Sequence, residues 1–313
     1  MIITATPLRT SLLGGGTDLP EWFLRSRGFV VGSTINKYIY VILTKRFDNK
    51  IYVGYSKQEI VTSVNKIEHD LVREAAKMAG MKDGFEVKTT ADIPSEGSGL
   101  GSSSALIVGL LRAFYEYRNI SKESYKIAEE AFTIERTILK RPVGKQDHFF
   151  AAIGGRMRFE FDGNRVIGTP IELLDDNLYL FHTGVSRSST PILEDQRTNI
   201  NEYTEVIYKG MSDLARGFIY GKETLPQYIK ANWELKKQLS TKIVTPEIET
   251  MCKLAVAGGS NAYKILGAGG GGFLLVHAEN GKIDSVRQSL KDYKEIPFTF
   301  VDHGCRVIFN NEQ

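Results

Sequence analysis

Three glycine clusters, Gly14-Gly15-Gly16, Gly97-Ser-Gly99-Leu-Gly101 and Gly267-Ala-Gly269-Gly270-Gly271-Gly272, punctuate a chain of otherwise ordinary strand and helix pattern. Glycine reaches positive φ without strain and lets another group approach the backbone where a Cβ would intervene. Each cluster therefore marks a tight turn or a close approach. Thirty glycines in 313 residues is about a tenth of the chain, against a typical ~7%. Three such loops, far apart in sequence, suggest one shared ligand.

The remaining composition is 42% hydrophobic and 25% charged with a formal charge of +3, which excludes collagen, coiled coil and disorder. At roughly 150 residues per domain the length sets an expectation of about two domains. The basic residues form no block, so neither nucleic acid nor a membrane surface is expected as a partner. Cys252 and Cys305 lack the spacing of a disulfide framework or a zinc site. There is no run of 18 apolar residues, and Met1–Pro7 lacks the basic-then-apolar order of a leader, so a cytoplasmic protein is expected. A monomer or homodimer is the expected assembly.

Between the clusters, β-branched and aromatic residues concentrate at 29–35, 38–44, 50–53 and 85–90, which read as strands. After Gly101 the period changes: Leu106, Leu110, Leu111 and Phe114 share one helical face, with Ser102 or Ser103 as its N-cap. A second helix is predicted over 121–139, with Tyr125, Ala128, Ala131, Phe132 and Leu139 on one stripe and Pro142 enforcing a stop. Glu135 lies in that stripe, so a carboxylate points where the apolar face points. Strands at 156–161, 165–167 and 178–182, helices at 194–219, 225–239 and 246–257, then strand 273–277, helix 283–293 and strand 298–301 complete the reading. Without a regular βαβ count this favours an α+β fold, divided into residues 1–167 and 168–313.

The middle loop joins a strand to an apolar helix. Backbone N–H groups of Gly97, Ser98, Gly99, Leu100 and Gly101 can converge there. The helix beginning at Ser102, Ser103 and Ser104 adds unsatisfied donors and the positive end of its dipole. That combination is a phosphate cradle, whose hydroxyls can also ligate Mg2+; a flexible Gly/Ser linker is the alternative. No G-x-x-x-x-G-K followed by Ser or Thr occurs, so the P-loop reading fails at its lysine. Gly267, Gly269 and Gly272 satisfy G-x-G-x-x-G, but the following Phe273–His277 reads as a strand where a dinucleotide fingerprint needs a helix. A strand-to-strand turn is expected instead. Asp18, directly after the first cluster, either caps the segment at 19–22 or binds a ligand. Asp147 follows Glu135 by twelve residues. Two acids beside a phosphate cradle can divide phosphoryl transfer, one holding metal and the other orienting or deprotonating the attacking hydroxyl. Otherwise Asp147 caps its own segment and Glu135 pairs with Arg136 or Lys140.

Together, Pro7-Leu-Arg-Thr-Ser-Leu-Leu-Gly-Gly-Gly-Thr-Asp18, Gly99-Leu-Gly-Ser-Ser-Ser-Ala105 and Leu266-Gly-Ala-Gly-Gly-Gly-Gly-Phe273 resemble the three motifs of the GHMP kinase superfamily, in its order and across nearly the whole chain. The resemblance implies a two-domain α+β fold, with a ribosomal-S5-like N-terminal domain and a ferredoxin-like C-terminal one. It also implies an enzyme that uses ATP and Mg2+. The Gly-Gly-Gly-Thr-Asp18 form, with Gly144-Lys-Gln-Asp147 and His182-Thr-Gly-Val-Ser-Arg187-Ser-Ser, is similar to the D-glycero-D-manno-heptose 7-phosphate kinases, which phosphorylate the anomeric C1 hydroxyl of a sugar phosphate. Fucokinase-like sugar-1-kinases have a similar first motif. Carried over by position, the loop from Gly97 to Ser104 wraps the ATP phosphates, with Gly269, Gly270 and Gly271 closing over those phosphates or the substrate. Ser103 and Glu135 hold Mg2+, although Ser104 stands where alanine is usual. Asp147 is the base, and Arg9, Gly16, Thr17 and Asp18 serve the acceptor. Lys145, two residues before Asp147, is expected to stabilise the ionised acid or the transferring phosphate. The acceptor's own phosphate needs cations; Arg187 is the first candidate and Arg141 the second.

Overall fold

In a computed structural model, which describes residues 1–93, 97–172, 177–185, 190–221 and 224–311, the first strand lies inside the larger of two sheets. The early strands are β1 (Ile2–Leu13), β2 (Gly28–Lys45), β3 (Ile51–Gly54), β4 (Gln58–Val61), β5 (Phe85–Ala91), β6 (Arg156–Asp162) and β7 (Arg165–Pro170). The early helices are α1 (Pro20–Phe23), α2 (Asp70–Met78), α3 (Ser102–Tyr117), α4 (Ser124–Phe132) and α5 (Gln146–Ile153). Later come β8 (Leu178–His182), α6 (Thr190–Thr198), α7 (Glu202–Gly217), α8 (Leu225–Lys236), α9 (Pro246–Ala257), β9 (Ala262–Ile265), β10 (Phe273–His277), α10 (Ile283–Ser289), β11 (Glu295–Ile296), β12 (Phe300–Val301) and β13 (Arg306–Asn310). The larger sheet runs β13-β1-β2-β5-β3-β4, with β12 and β6 also on β2 and β7 on β6. The smaller runs β11-β8-β10-β9.

β1 is not evident from its pattern because α3, α5, α7 and α8 all pack against it. With both faces covered, alternation disappears, and Thr4, Thr6, Arg9, Thr10 and Ser11 are buried beside Leu8 and Leu12. The two strands predicted at 29–35 and 38–44 are one strand, β2, bulged where Pro7 pairs Tyr38 while Leu8 pairs Ile35. The predicted helix over 121–139 begins at Ser124, and its last turn, Thr133–Ile138, widens to π-helical geometry. Such single-turn widenings concentrate at functional sites. Ser102 and Ser103 are not caps: Gly101, at φ 77°, precedes α3, and Ser102 is its first residue. The predicted stretch 194–219 is two helices, α6 and α7, the second opened by a capping box from Asn201 to Thr204.

The first core gathers Phe85, Phe114, Phe149, Phe150, Phe159 and Phe161 beneath the larger sheet, each contributing roughly 1.5–3 kcal/mol by burial. The second centres on Phe181, Met211, Trp233, Ile243 and Met251, with Trp22 from α1 stacked on Tyr208 at 5.5 Å. After the smaller sheet the chain returns to the larger one: Phe300 pairs Ile35, and Asn310 pairs Ile2. Both ends of the chain therefore lie in one sheet. Among the described residues no helix is long and apolar enough to cross a membrane.

Candidate active site

Two of the three glycine clusters, the middle and the last, meet. A Cβ on Gly99, whose φ is 72°, would lie 2.5 Å from the Leu266 carbonyl oxygen, and one on Gly272 would lie 2.5 Å from that of Ser98. The third cluster, a hairpin turn between β9 and β10, is thus packed backbone to backbone on the middle loop. At the other end of that loop a Cβ on Gly101 would come within 3.3 Å of the Asp147 carboxyl. Beyond it the N–H groups that open α3 lack intrahelical partners. The Ser98 hydroxyl contacts that of Ser102 at 3.0 Å and accepts from Leu100 N–H at 3.3 Å. Leu100 itself buries its side chain and gives its carbonyl to Arg9 N–H. The loop is therefore braced by its own serines, leaving a bare turn at a helix N-terminus.

Arg9, on β1, fixes Asp147, the second residue of α5. Nε donates to Oδ1 at 2.8 Å and Nη2 to Oδ2 at 2.7 Å, while Nη1 donates to the Gly99 carbonyl at 2.7 Å. This bidentate clamp ties the carboxylate to the loop. Asp18 does not cap α1. Its Oδ1 accepts from Gly16 N–H and Gln146 Nε2, both at 2.9 Å, and Oδ2 from Gln146 N–H at 3.0 Å. Burial, then repulsion from Asp147, pushes the Asp18 carboxyl up, against the backbone N–H bonds of Gln146 and Gly16.

Glu135 is fully buried in the π-turn, facing α3. Oε1 accepts from the Ser103 hydroxyl and from Arg141 Nη1 at 3.0 Å; Oε2 accepts from Ser104 at 2.9 Å and lies 2.8 Å from His148 Nε2. Burial alone would raise this carboxyl, but the hydrogen bond and charge of His148, with Ser103 and Arg141, outweigh it and hold it at about 2. The three serines have separate tasks: Ser102 faces Ser98, Ser104 is buried on Glu135, and Ser103 is exposed beside Oε1. Hard oxygen donors in such numbers suit Mg2+, which takes one or two protein ligands and completes its shell elsewhere. A cation already occupies these oxygens: Arg141 Nη1 sits 3.1 Å from Ser103 Oγ and 3.0 Å from Glu135 Oε1, with Nη2 on Asp70 at 2.8 Å. Ser103 and Glu135 thus fit a metal, provided Arg141 withdraws to Asp70.

Several expected site residues are placed elsewhere. Lys145 does not reach Asp147, because positions two apart at a helix start point apart; Nζ bonds both Glu129 oxygens at 2.8 and 2.9 Å. The Thr17 hydroxyl is spent on β2, donating to the Phe29 carbonyl at 2.9 Å and accepting from its N–H at 3.1 Å. Gly16 N–H is committed to Asp18. Gly270 N–H donates to the Ile243 carbonyl, and a Cβ on Gly269 or Gly271 would meet Ile243 or the Val185 carbonyl. It is Gly267 and Gly272 that meet the middle loop. Arg187 lies outside the described residues.

Other residues at the site were not anticipated. His148, one residue past Asp147, faces Glu135 from α5; the apolar run of residues 149–153 that follows it drew no attention to a lone histidine. Gln146 holds Asp18. From α8, Asn232 accepts from Gly14 N–H at 2.8 Å and Lys236 Nζ donates to the Gly267 carbonyl at 2.5 Å. No local motif distinguishes that helix; only its four-residue spacing of two polar side chains in an apolar stripe was available.

A family model described as the GHMP kinases N terminal domain matches residues 64–155, and one described as GHMP kinases C terminal matches residues 222–295. The chain is 32% identical to D-glycero-alpha-D-manno-heptose 7-phosphate kinase of Campylobacter jejuni, across 97% of this chain and 98% of that one. It is 23% identical to L-fucokinase/L-fucose-1-P guanylyltransferase of Bacteroides fragilis, across 88% of this chain and 34% of that longer protein. The crystal structure of a D-glycero-D-manno-heptose 1-phosphate kinase from Bacteroides thetaiotaomicron covers both chains fully with a TM-score of 0.75 at 23% identity, a likeness of fold. With its two halves matched in order and a relative aligned end to end, the chain belongs to the GHMP kinase family.

Proposed function

We infer that this GHMP kinase transfers the terminal phosphoryl group of ATP to the anomeric C1 hydroxyl of a sugar phosphate, with D-glycero-D-manno-heptose 7-phosphate as acceptor. The observation that carries the reading is Asp147, clamped by Arg9 and set against Gly101 at the open end of a phosphate-binding turn. A carboxylate so placed orients the acceptor hydroxyl and takes its proton. Arg9 keeps it from rotating, and the backbone N–H groups opening α3 hold phosphate oxygens. Asp18, wedged between Gly16 and Gln146, receives sugar hydroxyls. Ser103 and Glu135 would hold Mg2+, which neutralises phosphate charge when bound. The 32% identity to the heptose 7-phosphate kinase supports that acceptor over a plain sugar.

A panel of sugars and sugar phosphates, assayed with ATP and Mg2+ by ADP release, tests this. Heptose 7-phosphate should give the highest kcat/KM, and phosphorus NMR should place the new phosphate on C1. A preference for fucose, the acceptor favoured by the likeness to the L-fucokinase, would overturn the acceptor and leave the kinase. Failure of every sugar would overturn both.

A further inference from the structure

Two buried ammonium groups lie behind the glycine loops, each hydrogen-bonded among the described residues to backbone carbonyls alone. Lys236, the last residue of α8, is 5% exposed, and its one hydrogen bond among the described residues goes to the Gly267 carbonyl. Lys264, on β9 and 1% exposed, donates to the carbonyls of Ser11 and Leu12 at 2.7 and 2.6 Å. Neither forms an ion pair with a described residue. Isolated buried charge is among the least favourable arrangements in a folded protein, and it is normally paired.

The charges around Lys236 deepen the imbalance. Arg9 from β1 and Lys264 from β9 repel it, while Asp18 after the first glycines and Asp147 on α5 attract it. Asp147 is already neutralised by the Arg9 clamp, and Asp18, held by Gly16 and Gln146, forms no ion pair with Lys236, whose hydrogen bond goes to the Gly267 carbonyl. Burial, then Arg9, pulls the Lys236 ammonium down to about 8. Its position is equally specific. The Gly267 carbonyl it holds belongs to the residue packed on Gly99, where a Cβ would lie 2.6 Å from the Gly99 Cα, and the Gly99 carbonyl in turn accepts from Arg9. Lys236, the third cluster, the middle loop, Arg9 and Asp147 form one connected run. One helical turn back, Asn232 offers a second unused donor: Oδ1 is taken by Gly14 N–H, while the buried Nδ2 has no acceptor among the described residues. One side of α8 thus presents unspent donors to the loops that close the site.

We propose that Lys236 holds a phosphate oxygen of the bound substrates and, with it, selects for a phosphorylated ligand. The proposal rests on the function inferred above. The phosphate comes either from the sugar phosphate or from ATP, and the chemistry is the same: an oxyanion meeting a cation that forms no ion pair with a described residue.

Calorimetric titration of the full chain tests it, with heptose 7-phosphate alone and ATP alone as probes. Wild type is compared with Lys236→Met, which keeps the stem and removes the charge, and with Lys236→Arg. Lys236→Met should weaken one of the two probes at least tenfold, with unchanged circular dichroism, and Lys236→Arg should recover part of the loss. The weakened probe identifies the source of the phosphate. Unchanged affinity for both probes, or equal losses on both, would overturn the proposal, the latter because it signals general loosening of the loops. Should Lys236→Met fail to fold, wild type alone decides. At pH 8.5, in buffers of different ionisation enthalpy, phosphate binding should take up protons, and zero uptake would overturn the proposal. Wild type that binds no heptose 7-phosphate counts against the inferred acceptor; Lys236 is then decided on the ATP arm.

Discussion

Glu135→Gln separates a charge from a shape at the centre of the site. In the wild type the carboxyl is held at about 2 against an ordinary 4.5. At ~1.4 kcal/mol per tenfold change in proton affinity this contributes about 3 kcal/mol of stability. The sign follows from the direction: a carboxyl depressed by folding stabilises fully above its unfolded value near 4.5 and loses that contribution as pH falls toward 2. Glutamine keeps the volume and can still accept from Ser104, but it removes the charge facing His148 and Arg141. Urea unfolding of both proteins between pH 7 and pH 2.5 should give a difference of about 3 kcal/mol at neutral pH. That difference should shrink once pH passes below 4.5. A difference that stays constant across the range would refute the account, because it would mean that His148 and Arg141 do not act on the ionised form. The same variant should need more Mg2+ for half-maximal turnover if Glu135 holds the metal.

Asp147→Asn, still able to accept one bond from Arg9, should fold normally and lose about 10²–10⁴ in kcat in a coupled ADP assay; near-wild-type turnover would remove it as the base. Lys145→Met should lower the melting temperature by breaking the pair with Glu129 while reducing kcat far less than Asp147→Asn; an equal loss would return Lys145 to the chemistry. Gly99→Ala places a Cβ at φ 72° and 2.5 Å from the Leu266 carbonyl. It should cost about 1–2 kcal/mol from backbone strain alone, read as a lower melting temperature, and should weaken ATP binding measured by calorimetry.

Those features of the site that depend on neighbours in sequence were legible before the structure. The glycine turns could be read because positive φ is a local demand that glycine alone meets cheaply. Glu135 could be read because helical periodicity carries its direction, and the π-turn did not rotate it out of the core. The strand after the third cluster excluded a dinucleotide fold for the same local reason. β1 was not legible, since helices on both its faces erase the alternation that marks a strand, and neither was the fusion of two predicted strands into β2 across a bulge.

Pairings across the chain were decided only in three dimensions. Arg9 reaches Asp147 across 138 positions, Lys264 reaches Ser11 across 253, and Lys236 meets Gly267 only because α8 lies against the hairpin of β9 and β10. Lys145 and Thr17 were expected to face the ligands and instead hold Glu129 and Phe29. A sequence specifies which residues can bend a backbone or cradle an anion, because those properties belong to a residue and its immediate neighbours. Which charges end up opposed depends on how distant segments pack, and in this chain that packing sets Arg9 on Asp147 and turns Lys236 to the Gly267 carbonyl.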